Sequence, residues 1–313
     1  MAERKRKGII LVNAYLRSPG MIRQAERVAE ELRARGADVA IVKNGAFLSD
    51  VRKNSLTLSE NCDFVVNLDK DKYLPRMLEK RGLRLFNSAR AVELCDDKML
   101  TYIELAGQGL NLPDTVPAPL CYYADAAVRE DFLRGVAERL GFPLVAKKSF
   151  GSWGMDVRLV HDFAQLQAVA GEFKLYPHLF QKRVGKSGED LRVLVVGGKV
   201  VACMKRKNDG DFRSNVEAGG KGSPANPPEK FLNAALRCAQ VLELDYCGVD
   251  LLDEGGEPYV CEVNSNALFN EAERVTGANV AGAFAEHILA SLGANVAGAF
   301  AEHILASLGA NMR

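Results

Sequence analysis

Apolar and polar positions alternate in blocks along the first third of the chain. Ile9-Ile-Leu-Val12, Val39-Ala-Ile-Val42 and Phe64-Val-Val66 are apolar runs of a length suited to buried strands. Between the first two, Met21, Ile22, Ala25, Val28, Ala29 and Leu32 recur at helical spacing. Ser18-Pro19 opens this helix and Gly36 closes it. Strands alternating with helices predict a parallel sheet with helices on its faces, and a ligand at the carboxyl ends of its strands. The loop from Asn13 to Gly20 lies at such an end, but the single Arg17 within it reads as an ordinary solvated residue.

The pattern then changes. Ser88 to Gln108 is helical, broken near Cys95-Asp96-Asp97, and Leu112 to Pro117 is extended. A helix is predicted from about Asp125, as N-cap, to Leu140, and another from Asp162 to Phe173. Strands are predicted from Leu144 to Lys148 and from Leu179 to Val184. Two more, from Leu191 to Val196 and from Val200 to Met204, are joined by the hairpin signal Gly197-Gly198. A helix from Lys230 to Leu242 leads to a last hairpin from Gly248 to Asn264. Four units are expected: 1–87, a parallel α/β domain; 88–188, linker helices and a central lobe; 189–292, a C-terminal lobe; and 293–313, a helical tail. The tail is unusual because the sixteen residues 277–292 recur without change at 293–308, which indicates a recent duplication or an artefact of sequence assembly rather than a solenoid of diverged repeats.

Composition narrows the function classes. At 313 residues the chain is long enough for two or three cores, and a charged fraction of 26% is that of an ordinary globular protein. A net charge of +1 offers no general attraction for nucleic acid. The basic start from Met1 to Gly8 is followed by too few apolar residues for a signal peptide, and no window is long enough to span a bilayer, so a cytoplasmic location is expected. The seven cysteines contain no Cys-x-x-Cys pair and the four histidines have no metal-ligand spacing, so neither a zinc site nor a disulfide framework is expected.

Four clusters carry candidate chemistry. In the last hairpin, a turn centred on Gly256 places Asp250 opposite Glu262, with Asn264 on the face of Glu262. Opposed carboxylates repel unless compensated, and a hard divalent cation would compensate them, although two solvated carboxylates would also fit. Val249, Leu251, Cys261 and Val263 are expected on the other, apolar face. The second cluster is Lys147-Lys148-Ser-Phe-Gly151-Ser152-Trp-Gly154-Met155, a strand-end lysine before a glycine-rich turn that could approach phosphates or be a plain hairpin loop. The third is Arg206 with Arg213, Ser214 and Asn215, donors suited to phosphoryl oxygens or to solvent. Lys98 is the fourth, a lysine at a helix start, where it opposes the dipole. Together these are the parts that phosphoryl transfer requires.

In this order the motifs resemble the ATP-grasp superfamily, and within it the RimK-type glutamate ligases. The resemblance runs from about Ser88 to Thr276 and is densest over Asp190-Leu-Arg192, Gly210-Asp-Phe-Arg-Ser-Asn215, Gly219-Gly220, Gly248-Val-Asp250 and Glu262-Val-Asn264. It implies an α/β fold in which an N-terminal parallel α/β domain precedes a two-lobed ATP-grasp module. It implies that Lys98 and Lys147 contact ATP phosphates under a loop from Gly151 to Met155 that includes Ser152 and Gly154. It further implies that Gln181, Lys182, Arg183 and Val184 form the adenine hinge and that Asp190 faces the ribose. Arg213, Ser214 and Asn215, assisted by Arg206, would meet the phosphate and the acyl-phosphate intermediate. Asp250, Glu262 and Asn264 would hold magnesium, or manganese in its stead, as two ions. The reaction so implied is the joining of a small-molecule carboxylate to an amine, one of them an amino acid or peptide, through an acyl phosphate; a homo-oligomer is in keeping with such relatives. The chain departs from the family pattern at Lys182-Arg183, where an acidic residue and an aromatic are usual, at Asp156 in place of a glycine, and at Ser265-Asn266-Ala267-Leu268 in place of Ser-Pro-Gly. A catalytically silent nucleotide-binding regulator and a ligase for a genetically encoded peptide are the competing readings.

Overall fold

The structure, a computed structural model, describes residues 4–46, 49–52, 55–57, 62–152, 154–214 and 219–293. It begins with β1 (Lys7–Val12), α1 (Pro19–Ala34), β2 (Asp38–Lys43), a short hairpin of β3 (Asp50–Arg52) and β4 (Ser55–Thr57), β5 (Phe64–Asn67), α2 (Tyr73–Lys80) and β6 (Arg84–Phe86). Strands β1, β2, β5 and β6 form a parallel sheet in the order β2-β1-β5-β6. Alternation along β1 divides its side chains between two helices. Ile9 and Leu11 pack under α2 with Leu74 and Leu78, whereas Ile10 and Val12 meet Ala25, Val28, Ala29 and Leu32 of α1. Gly8 is confined to glycine because a Cβ there would lie 2.2 Å from the Phe64 ring.

Two helices, α3 (Ala89–Asp96) and α4 (Lys98–Leu105), lead to the second sheet. Asp97 separates them and caps α4, its carboxylate accepting from the backbone N–H groups of Met99 at 2.9 Å and Leu100 at 3.3 Å. The second sheet is antiparallel. It contains β7 (Thr115–Pro117), β8 (Leu144–Lys148), β9 (Val157–Val160) and β10 (His178–Lys182) in the order β7-β10-β8-β9, covered by α5 (Glu130–Leu140) and α6 (Phe163–Phe173). The expected cap at Asp125 is displaced: α5 starts at Glu130 after Arg129, which makes no side-chain cap, and its first turn is favoured instead by Glu130 and Asp131 against the helix dipole.

The third sheet is also antiparallel and contains β11 (Glu189–Val196), β12 (Lys199–Lys207), β13 (Lys221–Pro224), β14 (Tyr246–Glu254) and β15 (Glu257–Asn264), in the order β13-β12-β11-β14-β15. One face packs on α7 (Glu229–Val241) through Phe231, Ala235 and Cys238. The other meets the first sheet through a shared core. There a helix over 280–293 inserts Val280, Phe284 and Ile288, beside Ala272 of α8 (Asn270–Thr276), between Leu194, Val196 and Met204 on one side and Ile10 and Phe64 on the other. Each such buried side chain contributes about 1.5–3 kcal/mol. The helix over 280–293 is the first copy of the duplicated segment; residues 294–313, which hold the rest of the second copy, lie outside the described residues.

One amide stitches these parts together. Asn87, 1% exposed, accepts from the backbone N–H of Asp245 (2.7 Å) and Tyr246 (3.1 Å) and donates to the carbonyls of Tyr246 (2.7 Å) and Ser265 (2.8 Å). Cys95, Cys121, Cys203, Cys238, Cys247 and Cys261 are free thiols. Burial pushes Cys203 and Cys261 up to about 11 and Cys238 up to about 12, and raises Cys95 and Cys247 well above the ordinary thiol range. Ellman's reagent at pH 8 is therefore expected to reach at most two of the seven thiols in the native protein and all seven in denaturant; rapid native reaction of four or more would contradict this packing.

Candidate functional site

The second and third sheets face each other across a cleft. Lys147, near the end of β8, points into it, buried to 7% exposure, and donates to Gln181 Oε1 at 2.7 Å. Gln181 is held in turn by its own amide on Thr115 Oγ1, 2.9 Å away. Burial opposes the charge on Lys147, but Tyr102, Cys261 and Glu262 outweigh it, and its pKa is raised. Lys98 enters from the start of α4, where its backbone N–H donates to Ser149 O at 3.0 Å. Its ammonium lies 2.9 Å from Gly151 O and 3.5 Å from Glu262 Oε1. This contact accounts for a cation at a helix start that the dipole disfavours.

Across the cleft, β11 and β12 carry a buried ionic network. Arg206, 1% exposed, forks onto Asp190, directly opposite it in the sheet, and reaches Asp250 Oδ2 at 2.9 Å. Ser214 Oγ donates to the same Asp190 carboxylate. Arg192, two residues along β11, makes paired bonds of 2.7 and 2.8 Å to Asp250. Burial works against the Asp250 carboxylate, but the two guanidiniums prevail and hold it below its usual range. Arg206 Nη1 is buried without a protein partner among the described residues.

The last hairpin has the expected register, for a reason the turn alone does not supply. A two-residue turn at Gly255-Gly256, with Glu254 paired to Glu257, would put Asp250 opposite Cys261. A β-bulge between Asp250 and Leu251 adds one residue on β15 and restores Asp250 opposite Glu262. The same bulge corrects the expected apolar face: Leu251 pairs with Val260 in the core, and Cys261 turns to line the cleft. Gly248, opposite Asn264, is required by the following loop, since a Cβ there would lie 2.5 Å from that of Ala267.

The cleft thus brings together most of the expected residues. Lys98 and Lys147 share it with the turn residues Gly151, Ser152 and Gly154. Gln181, Lys182, Arg183 and Val184 form its strand-end wall. Asp190, Arg206, Arg213, Ser214, Asp250 and Glu262 complete it. Arg213 spans it, donating to Gly154 O at 2.5 Å and braced by Asp211 at 2.6 Å. Asn264 lies beside it in an adjoining cavity, its amide 3.4 Å from Asp250 Oδ2. Asn215 and Trp153 lie outside the described residues. Asp156, which stands where a glycine was expected, pairs with Lys148 at 3.0 Å.

The adjoining cavity, about 540 Å³, opens between the first and third sheets and shares Ser152, Met155 and Glu262 with the cleft. Its wall includes Arg17 with Asn13, Tyr15, Leu16 and Ser18 of the loop read from the sequence as merely solvated, together with Asp69, Arg192 and Asn266. Arg192 was discernible as the residue sharing a strand face with Asp190, and Asn266 as part of the segment that departs from Ser-Pro-Gly; Asp69 carried no such signal.

The donor set fits a nucleotide and a hard cation. An unpartnered buried guanidinium N–H and two lysines suit phosphate oxygens. Among the described residues no three His, Cys, Asp or Glu side chains form a self-contained metal cage. Asp250, Glu262 and the Asn264 amide offer a partial set of hard oxygens, as expected of a cation that takes its remaining ligands from phosphate and water.

Sequence and structure comparisons agree with this geometry. The family model for the RimK-like ATP-grasp domain matches residues 95–288. Human N-acetylaspartylglutamate synthase A is 36% identical over 233 residues, 72% of this chain and 58% of that protein, so the chain spans less than three fifths of that relative's length. A probable alpha-L-glutamate ligase of Maridesulfovibrio salexigens is 35% identical over 217 residues, 68% of this chain and 69% of that protein. A RimK domain ATP-grasp protein of Sphaerobacter thermophilus superposes with a TM-score of 0.67 at 19% identity, covering 90% of this chain and 99% of the other. With the cleft, its lysines and its acidic hairpin in place, the chain belongs to the RimK-like ATP-grasp family.

Proposed function

We propose that the protein is an ADP-forming carboxylate–amine ligase with an amino acid among its substrates. The observation that carries this reading is the meeting of the cationic cleft and the second cavity at Ser152, Met155 and Glu262, which supports phosphate binding beside room for two small substrates. In the cleft, ATP would supply the phosphoryl group that activates a carboxylate, and Mg²⁺ the positive charge that offsets the negative phosphate oxygens. Asp250, Glu262 and Asn264 would hold the cation. Lys98, Lys147 and Arg206 would face the phosphates, and Gln181 to Val184 the base. Arg213, with Ser214 and Asn215, would stabilise the oxyanion as the amine attacks the activated carbonyl and phosphate leaves.

The cleft encloses about 130 Å³ as it stands, less than the roughly 300 Å³ of a small ligand pocket, so the glycine turn moves as substrate enters. Lys98 and Arg213 hold that turn through the carbonyls of Gly151 and Gly154, and phosphate oxygens compete for the same donors. Gly151 and Gly154 both have left-handed backbone (φ 128° and 69°), which lets the turn close tightly. Closed, it would exclude water from the activated carbonyl. That the relatives include an N-acetylaspartylglutamate synthase and a probable alpha-L-glutamate ligase supports an amino acid as one substrate.

The test is ADP release with Mg²⁺-ATP against a matrix of amino acids and carboxylates, with product mass read in positive wells. Release that depends on two substrates, with a product one water lighter than their sum, is expected. ATP binding without turnover across the matrix and across peptide acceptors would leave a silent regulator instead.

A further inference from the structure

In the first sheet β1 and β5 lie side by side at the centre, and the connections that leave them diverge, from β1 outward to β2 and from β5 outward to β6. A crevice at the carboxyl ends of strands so arranged is where open α/β sheets bind ligands. Here it is the inner end of the second cavity, and its floor is Asp69, just after β5.

Asp69 is an unusual residue to bury. It is 6% exposed, and the donors on its carboxylate are neutral: Asn13 Nδ2 at 3.2 Å, Asn44 Nδ2 at 2.7 Å and the Lys70 backbone N–H at 2.8 Å. The adjacent ammonium of Lys70 is turned away, to Asp96 at 2.8 Å and Ser152 Oγ at 3.0 Å. Asp71, which shares Asn44 at 3.2 Å, adds a second negative charge. Burial above all, with Asp71, lifts the Asp69 carboxyl above its ordinary range. A carboxylate buried among neutral donors costs free energy that a cation would recover. Among the described residues no side-chain cation contacts it, and its open side is the cavity. Arg17, from the loop after β1, lines the same cavity and makes no hydrogen bond or ion pair among the described residues. The cavity's other cations, Lys70 and Arg192, are already paired.

We propose that this crevice holds the amino-acid substrate as its zwitterion, with the Asp69 carboxylate on its ammonium and the Arg17 guanidinium on its carboxylate. The assignment rests on the ligase reading and adds to it where the amine-bearing substrate lies and what recognises it. The opposite charges at the two ends select a free amino acid over a simple amine or a simple acid. Leu16, Met21 and Leu68 leave an apolar wall for its side chain.

The experiment separates the two half-reactions. Hydroxylamine, a small neutral nucleophile, traps an activated carboxylate as a hydroxamate without needing an amino-acid site. For Asp69→Asn, hydroxamate formation with Mg²⁺-ATP and the carboxylate is expected within twofold of wild type, while KM for the amino acid rises at least tenfold. For Arg17→Ala, an exposed change that spares the fold, KM is expected to rise at least fivefold for the amino acid but not for its carboxamide. Unchanged KM in both variants overturns the proposal, as does loss of hydroxamate in a folded Asp69→Asn, which would put Asp69 in the activation step. Should Asp69→Asn fail to fold, the Arg17 comparison decides alone: equal effects on acid and carboxamide overturn it. Wild-type hydroxamate with no amino acid accepted refutes this site while sparing the ligase reading; no hydroxamate from any carboxylate removes both.

Discussion

Glu262→Gln is expected to reduce ADP release by about 10²–10³-fold, the cost typical of removing one preorganised electrostatic contact from an active site, and to leave the melting temperature within about 1 °C of wild type. The substitution keeps shape and removes charge. Glu262 is partly open to solvent, and its contact is the 3.5 Å approach of Lys98, so the fold gives up little. The chemistry gives up more, because Glu262 is the carboxylate among the three residues that cleft and cavity share and the one carboxylate of the opposed pair without a guanidinium on it. Asp250 is already neutralised by Arg192 and Arg206, so the negative charge left to attract a cation resides on Glu262. The assay pairs ADP release with a thermal melt; full activity in the variant would remove the hairpin from the site, and a large fall in melting temperature would make the residue structural.

The largest expected loss of stability is at Asn87→Ala, about 3–4 kcal/mol. The side chain serves four backbone groups of two segments distant in sequence, and alanine leaves them buried without partners. Each such group costs about 1–3 kcal/mol when nothing replaces the bond, and relaxation recovers part of the sum. At about 2–4 °C per kcal/mol for a chain of this size, the melting temperature should fall by about 10 °C. A fall of less than 2 °C would mean that water or a shifted backbone meets those groups. Glutamine at this position should not restore the loss, since an added methylene has no room at 1% exposure.

The two predictions differ in how far the sequence foretold them. The opposition of Asp250 and Glu262 follows from counting residues about the glycines, but the count succeeds through a bulge that no local pattern announces, and the same bulge defeats the assignment of Cys261 to the apolar face. Strands, the break at Asp97 and the hairpin at Gly197-Gly198 were legible because each rests on neighbours in sequence. The start of α5 was not, because Asp125 is as good a cap locally as the chain offers and tertiary packing begins the helix five residues later. Asn87 bonds across sheets, and Asp69 and Arg17 line a cavity shared with the third sheet, over separations in sequence that periodicity does not reach. Their importance appears only once the first and third sheets are brought together.

The helix over 280–293 closes the core between those two sheets, and its sequence is written twice in succession. Excising 277–292 or excising 293–308 yields one and the same polypeptide, since whichever copy is lost, the survivor follows Thr276 directly. For this helix, a deletion of sixteen residues in register with the repeat is therefore silent toward the core. A duplication that looks like surplus sequence thus makes the most deeply seated C-terminal helix tolerant of its own deletion, and the shortened chain should melt where the full one does.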